Sequence, residues 1–138
     1  MPMQSIWMIR LSLLSLLVAV ILGGLILIHK AFPLHPAVWG ALPLHYELAI
    51  WGWLVQFVMG TAYWMFPRHL TGPGRGSPGV ATTMSVLYNI GLLLLLFSSA
   101  TLTLGFVFAL AGRGCLALAV LLFGGLMWRR VVSYKNRK

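Results

Sequence analysis

Apolar residues run along this chain in blocks longer than the helices and strands of a water-soluble domain need. The first block begins at Ile6 and the second at about Tyr46. A third stretch, from Val80 to Trp128, would be about 70 Å long as one helix, whereas the hydrocarbon core of a bilayer is roughly 30 Å thick. That stretch therefore contains two spans. The pattern predicts helices over about 6–28, 46–66, 80–103 and 110–131, which form an all-α, four-helix transmembrane bundle in a single domain, 1–138.

The breaks between the predicted spans follow from glycine and proline. Residues 29–44 contain three prolines and predict an outer loop, because proline interrupts helices. Residues 67–79, rich in glycine, predict a flexible inner loop. The turn between the third and fourth spans is predicted between Ser98 and Gly114, where Gly112-Arg113-Gly114 interrupts the apolar run.

Composition supports a membrane protein and excludes several kinds of catalysis. Of the 138 residues, 60% are hydrophobic and 8% charged, whereas soluble domains carry about 25% charged residues. The net charge of +9 therefore indicates a membrane surface and not nucleic acid. With no Asp and only one Glu, the chain has neither a Ser-His-Asp triad nor a carboxylate pair. Its one cysteine, Cys115, excludes an intrachain disulfide.

The basic residues predict an orientation. If both termini are cytoplasmic, eight Lys and Arg residues lie inside and two, Lys30 and Arg113, lie outside. This distribution fits the positive-inside rule and predicts a multi-pass protein of the cytoplasmic (inner) membrane. The basic tail from Arg129 to Lys138 is expected to lie against anionic headgroups. The inside residues are Arg10, Arg68, Arg75, Arg129, Arg130, Lys135, Arg137 and Lys138.

The second span has a narrow stripe of polar and small residues. On a wheel of 3.6 residues per turn, Gly52, Gln56 and Tyr63 fall within about 20° of His45, and Gly60 lies close by. We call these five residues the polar stripe. Polar groups in lipid need partners and small residues allow close approach, so the polar stripe is expected to face protein.

Two interpretations of the polar stripe remain open. In the first, it is a contact between helices, in which Gln56 hydrogen-bonds to Asn89 at a similar depth of the third span. In the second, His45 ligates the iron of a haem b, and the glycines make room for the macrocycle. The second axial ligand would be His35, a Met, another chain, or His45 of a second copy.

The segment LHYELAIWGWLVQFVMGTAYWMFPR resembles part of the haem–copper oxidase subunit I superfamily, especially its small subunit I-like membrane proteins. The shared pattern is a His, then Gly-Trp, Gly-x-x-Tyr and Pro-Arg, with His45, Gly52, Gly60, Tyr63 and Pro67 among its positions. The specific pattern covers about 25 residues. The resemblance implies that His45 is the axial ligand of a low-spin haem.

This chain also departs from that superfamily. The catalytic subunit has about a dozen helices, and here no histidine follows His69, so the copper ligands of the later helices are missing. Oxygen reduction by this chain alone is therefore excluded. We expect an electron-transfer-associated subunit, or alternatively an accessory subunit without its own cofactor. The predicted partners are lipid, other integral membrane subunits of a respiratory or photosynthetic complex, and a quinone.

Three further outer residues are candidates for chemistry. Glu47, the one acid, is expected to be an interfacial carboxylate that pairs with Lys30, a proton acceptor near a quinol site, or a contact with a partner subunit. His29, His35 and His45 lie on the same predicted side of the membrane and include the residue types that bind copper. Their spacing is not that of a metal motif, and ordinary loop histidines are the favoured interpretation.

Overall fold

The described part of this chain contains four long helices, the number that the hydropathy pattern predicts. The computed structural model describes residues 1–67, 74, 76–99, 104–128 and 130–131. Each helix is long and apolar enough to cross a bilayer. They are α1 (Met3–Ala31), α2 (Pro36–Met65), α3 (Pro78–Ser98) and α4 (Gly105–Trp128). The chain is thus a multi-pass, all-helical membrane protein by length and composition.

The turn between α3 and α4 lies within the predicted interval, but the boundaries of both helices differ from the prediction. Helix α3 ends at Ser98 instead of 103, and α4 begins at Gly105 instead of 110. The Gly112-Arg113-Gly114 sequence does not interrupt α4. Gly112 instead packs on Gly91 of α3. A Cβ atom added at Gly112 would lie 2.8 Å from the Gly91 carbonyl oxygen. These two glycines bring the backbones of α3 and α4 together.

The start of α2 also differs from the prediction, because two of the three prolines predicted to break the helix lie within it. Pro36 occupies the first turn of a 3₁₀ segment that ends at Ala41, and Pro43 is in the first turn of the α-helical segment that follows. Proline fits such positions because the N–H that it lacks has no partner inside the helix. A π-helical segment, Leu48–Val55, comes next and passes into regular α-helix over Gln56–Met65.

The four helices form two hairpins that pack side by side. Helix α1 lies against α2 along most of its length, and α3 lies against α4. The core between the hairpins contains residues from every helix, with the methionine side chains filling irregular space. Its buried members are Met8, Met59, Met84, Tyr88, Leu95, Leu116 and Ala119. Met59 is thus a packing residue.

Arg130 of the basic tail is inside the protein, contrary to the prediction that it lies on lipid headgroups. The side chain of Arg130 is 1% exposed. Its guanidinium donates to backbone carbonyls at the end of α2. The residues from 132 to 138, together with Arg129, Arg68 and Arg75, lie outside the described residues, and so does His69.

Candidate functional site

His45 sits at the contact between α2 and α1. Its Nδ1 lies 2.9 Å from the carbonyl oxygen of Ala19. The ring rests on Gly23, where a Cβ atom would lie 2.8 Å from the His45 Cε1 atom. The missing side chain of Gly23 therefore leaves the space that the imidazole occupies. The side chain of His45 is only partly buried.

The hydrogen bond to Ala19 assigns the tautomer of His45. A carbonyl oxygen can only accept, so Nδ1 must carry a proton and donate it. In the neutral ring this leaves the lone pair on Nε2. Ligating histidines in proteins commonly donate their other ring N–H to a carbonyl in this way, which fixes the tautomer and the direction of the ring. His45 thus has the chemistry of a metal ligand through Nε2.

The glycines of the polar stripe are covered by α1. A Cβ atom at Gly52 would lie 2.8 Å from Cβ of Ser15, and one at Gly60 would lie 3.0 Å from Cβ of Met8. The face of α1 that meets them is itself largely small, with Ser12 and Ser15 buried. The expectation that the polar stripe faces protein is confirmed. The space at Gly52 and Gly60 belongs to helix packing and does not form a cradle for a flat cofactor.

Gln56 is fully buried and points toward the other hairpin. Its Nε2 donates to Oδ1 of Asn89 at 3.0 Å, so the partner predicted from the depth of the two residues is confirmed. Asn89 Nδ2 in turn donates to the Ser85 carbonyl oxygen at 2.8 Å. Gln56 Oε1 has no hydrogen-bond partner among the described residues. A second bond joins the hairpins nearby, from the Tyr88 hydroxyl to the Trp51 carbonyl at 2.6 Å.

Tyr63 lies at the opposite end of α2 from His45. Eighteen residues separate them, which is about 27 Å along a helix. Tyr63 is buried, and the guanidinium of Arg130 lies 5.4 Å from the centre of its ring. Arg130 Nη2 also donates to the Tyr63 carbonyl at 3.1 Å, and Nε donates to the Pro67 carbonyl at 3.0 Å. Since the last carbonyls of a helix have no partner within it, Arg130 caps α2.

The other outer histidines use their ring nitrogens differently from His45. His35 Nδ1 accepts from the Ala37 N–H at 3.2 Å, and His29 Nδ1 accepts from the Leu34 N–H at 3.0 Å. An accepting Nδ1 places the proton of a neutral ring on Nε2, so neither nitrogen offers a free lone pair. His35 is therefore poorly arranged as the second ligand. Within the described ranges, no three His, Cys, Asp or Glu side chains form a group that would hold a metal ion.

Glu47 pairs with a residue other than the one expected. Its Oε1 lies 3.6 Å from Nη2 of Arg113 on α4, and not against Lys30. Lys30 is the expected partner because it lies in the same predicted outer region as Glu47, and nothing in the sequence indicates that α4 lies beside α2 at this depth. Glu47 and His45 contact different helices, α4 and α1.

Two cavities lie between α1 and α3 and open on one side of the bundle. Their volumes are about 480 and 540 Å³, and both linings include Leu11, Asn89 and Leu93. Neither lining, as formed by the described residues, includes His45. Comparison of this chain with protein-family models, curated proteins and solved structures gives no match.

Proposed function

We propose that this chain is an integral membrane subunit of an electron-transfer complex, and that His45 is an axial ligand of a haem b. One observation carries the proposal: the hydrogen bond from His45 Nδ1 to the Ala19 carbonyl leaves a lone pair on Nε2 inside a membrane span. The resemblance of the segment from His45 to Arg68 to oxidase subunit I supports the same residue. A haem b, when bound, takes up and releases one electron.

The packing of α1 determines how this site would have to be completed. Ser15 and Met8 of α1 cover Gly52 and Gly60. A macrocycle therefore has to approach His45 from outside the contact between α1 and α2. The second axial ligand and part of the cleft then come from another subunit or from a second copy of this chain. The roles proposed for Gln56 and Tyr63 are structural, since Gln56 bonds to Asn89 and Tyr63 packs on Arg130.

A cofactor-free accessory subunit is the second candidate function. It is favoured by the partners that four of the five polar-stripe residues already have within this chain. Gly52 and Gly60 pack on α1. Gln56 bonds to Asn89 of α3, and Tyr63 packs on Arg130. In this case the exposed apolar faces of the helices would bind lipid and the other subunits of the complex. For a quinone, the third predicted partner, we propose the two cavities between α1 and α3, because their volumes suit a small ligand.

A reduced-minus-oxidised visible spectrum of the protein purified with its membrane partners separates the two candidates. We expect a b-type α-band in the wild type that His45→Ala removes. His29→Ala is the matched control and should keep the band, since His29 Nδ1 already accepts from Leu34. A band of equal height in His45→Ala would exclude His45 as the ligand. A colourless wild type that purifies with a larger complex would establish the accessory function.

A further inference from the structure

A charged pair stands at one end of an apolar groove between α2 and α4. The groove has a volume of about 580 Å³. Trp51 and Val55 line it from α2. From α4, Arg113 lines it together with Leu116, Ala117, Val120 and Leu121, at the i, i+3, i+4, i+7 and i+8 positions of one helical face. We call this cavity the α2/α4 groove. It extends about 12 Å along α4 from Arg113 to Leu121.

Arg113 is exposed although it lies within a membrane span. Its side chain is 71% exposed, against 23% for Glu47, and it is eight residues beyond the start of α4 at Gly105. Gly105 and Arg113 are thus about 12 Å apart along α4. The long side chain of Arg113 can extend back toward the headgroups and bring its charge closer to water. A cation at this depth is costly unless an anion pairs with it.

Glu47 meets this requirement only in part. The distance of 3.6 Å from Arg113 Nη2 to Glu47 Oε1 exceeds the ~2.7–2.9 Å of a strong charge-assisted hydrogen bond. A guanidinium has five N–H donors in a planar fork, which matches the geometry of a phosphate. Glu47 occupies a single edge of that fork, so donors remain for a second anion.

We propose that the α2/α4 groove binds an anionic phospholipid, with its phosphate on Arg113 and an acyl chain along Trp51, Val55 and Ala117. The arrangement matches an amphiphile, since one cation stands at the mouth of a groove whose other lining residues are all apolar. Basic residues near a membrane surface attract anionic headgroups by the same chemistry. This site is separate from His45 and does not depend on a cofactor there.

Native mass spectrometry of the full chain in detergent tests the proposal, with phosphatidylglycerol as the probe. Arg113→Gln should retain about fivefold less lipid, the ratio that ~1 kcal/mol for one basic residue near a charged lipid surface gives. Ala117→Phe keeps the charge and fills the groove, so it should also lose the lipid. Ala111→Phe, which is exposed on the same helix and outside the groove lining, should retain it.

A second lipid separates the contributions of the headgroup and the chains. Diacylglycerol with the same acyl chains but no phosphate should be retained more weakly than phosphatidylglycerol by the wild type. Equal retention of phosphatidylglycerol by the wild type, Arg113→Gln and Ala117→Phe would overturn the proposal. A photo-crosslinker at Ala117 that captures a membrane helix of another protein instead of lipid would also overturn it.

Discussion

At the scale of single residues, the polar groups of this membrane protein are used mainly to join its two hairpins. Gln56 and Asn89 form a side-chain hydrogen bond at 3.0 Å. Such bonds within a bilayer are worth about 1 kcal/mol, because the unfolded chain in the membrane also finds partners. The main effect of this hydrogen bond is therefore to determine which faces of α2 and α3 meet, and its contribution to the free energy of unfolding is small.

Replacing Gln56 should reveal this contribution. We expect Gln56→Leu to lower the free energy of unfolding in detergent by about 1 kcal/mol, with a similar loss for Asn89→Leu. The double variant should lose less than the sum of the two, since both changes remove the same bond. Thermal or denaturant unfolding of the four proteins gives these values. Unchanged stability in Gln56→Leu, or strictly additive losses, would show that the bond does not join the hairpins.

Residue pairs were predictable from the sequence only where depth alone determines the partner. Gln56 and Asn89 are polar residues at similar depths of two spans, and the pairing could be stated in advance. The burial of Arg130 could not be predicted, because a basic residue after a span looks the same whether it binds headgroups or the carbonyls of a neighbouring helix. The pair between Glu47 and Arg113 could not be predicted, because hydropathy gives the spans but not which helices are neighbours.

At the scale of helices, hydropathy predicted the number of spans but not their ends. The lipid environment explains why the Gly112-Arg113-Gly114 sequence stays helical. An exposed turn within the hydrocarbon core would leave backbone groups without hydrogen bonds, and helix avoids that cost. The π-helical segment Leu48–Val55 could not be predicted, because its apolar residues form the same pattern as those of a regular α-helix.

Adjacent glycines of α1 offer a matched test of the contact with α2. A Cβ atom at Gly23 would lie 2.8 Å from His45 Cε1, whereas one at Gly24 would meet nothing within 4 Å. Gly23→Leu should therefore displace the imidazole and lower stability by about 1–3 kcal/mol, the usual cost of overpacking. Gly24→Leu should be close to neutral. Equal stability of the two variants in detergent would contradict the packing of His45 on α1.

At the scale of the whole molecule, two hairpins with apolar outer faces are suited to a lipid bilayer. We propose from the distribution of Lys and Arg that both termini are cytoplasmic and that the membrane is the inner one. The described helices are compatible with this orientation.

Cysteine labelling tests this orientation in a Cys115→Ala background. An impermeant maleimide should label Leu34→Cys, in the short loop between α1 and α2, from outside intact cells. Ser133→Cys, in the C-terminal tail, should react only in inverted vesicles. The reverse pattern would show that the termini lie outside and that the count of basic residues was misleading.

Nitrogen NMR of ¹⁵N-histidine-labelled protein shows whether His45 presents the Nε2 lone pair. His45→Ala identifies the His45 signals by their loss. The sample is the cofactor-free protein purified with its membrane partners, because another subunit or copy completes the proposed site. We predict a proton on Nδ1 and none on Nε2, as the bond to Ala19 requires, and a change of the Nε2 signal on addition of haemin. A proton on Nε2, or signals that haemin leaves unchanged, would contradict the assignment of His45 as a haem ligand.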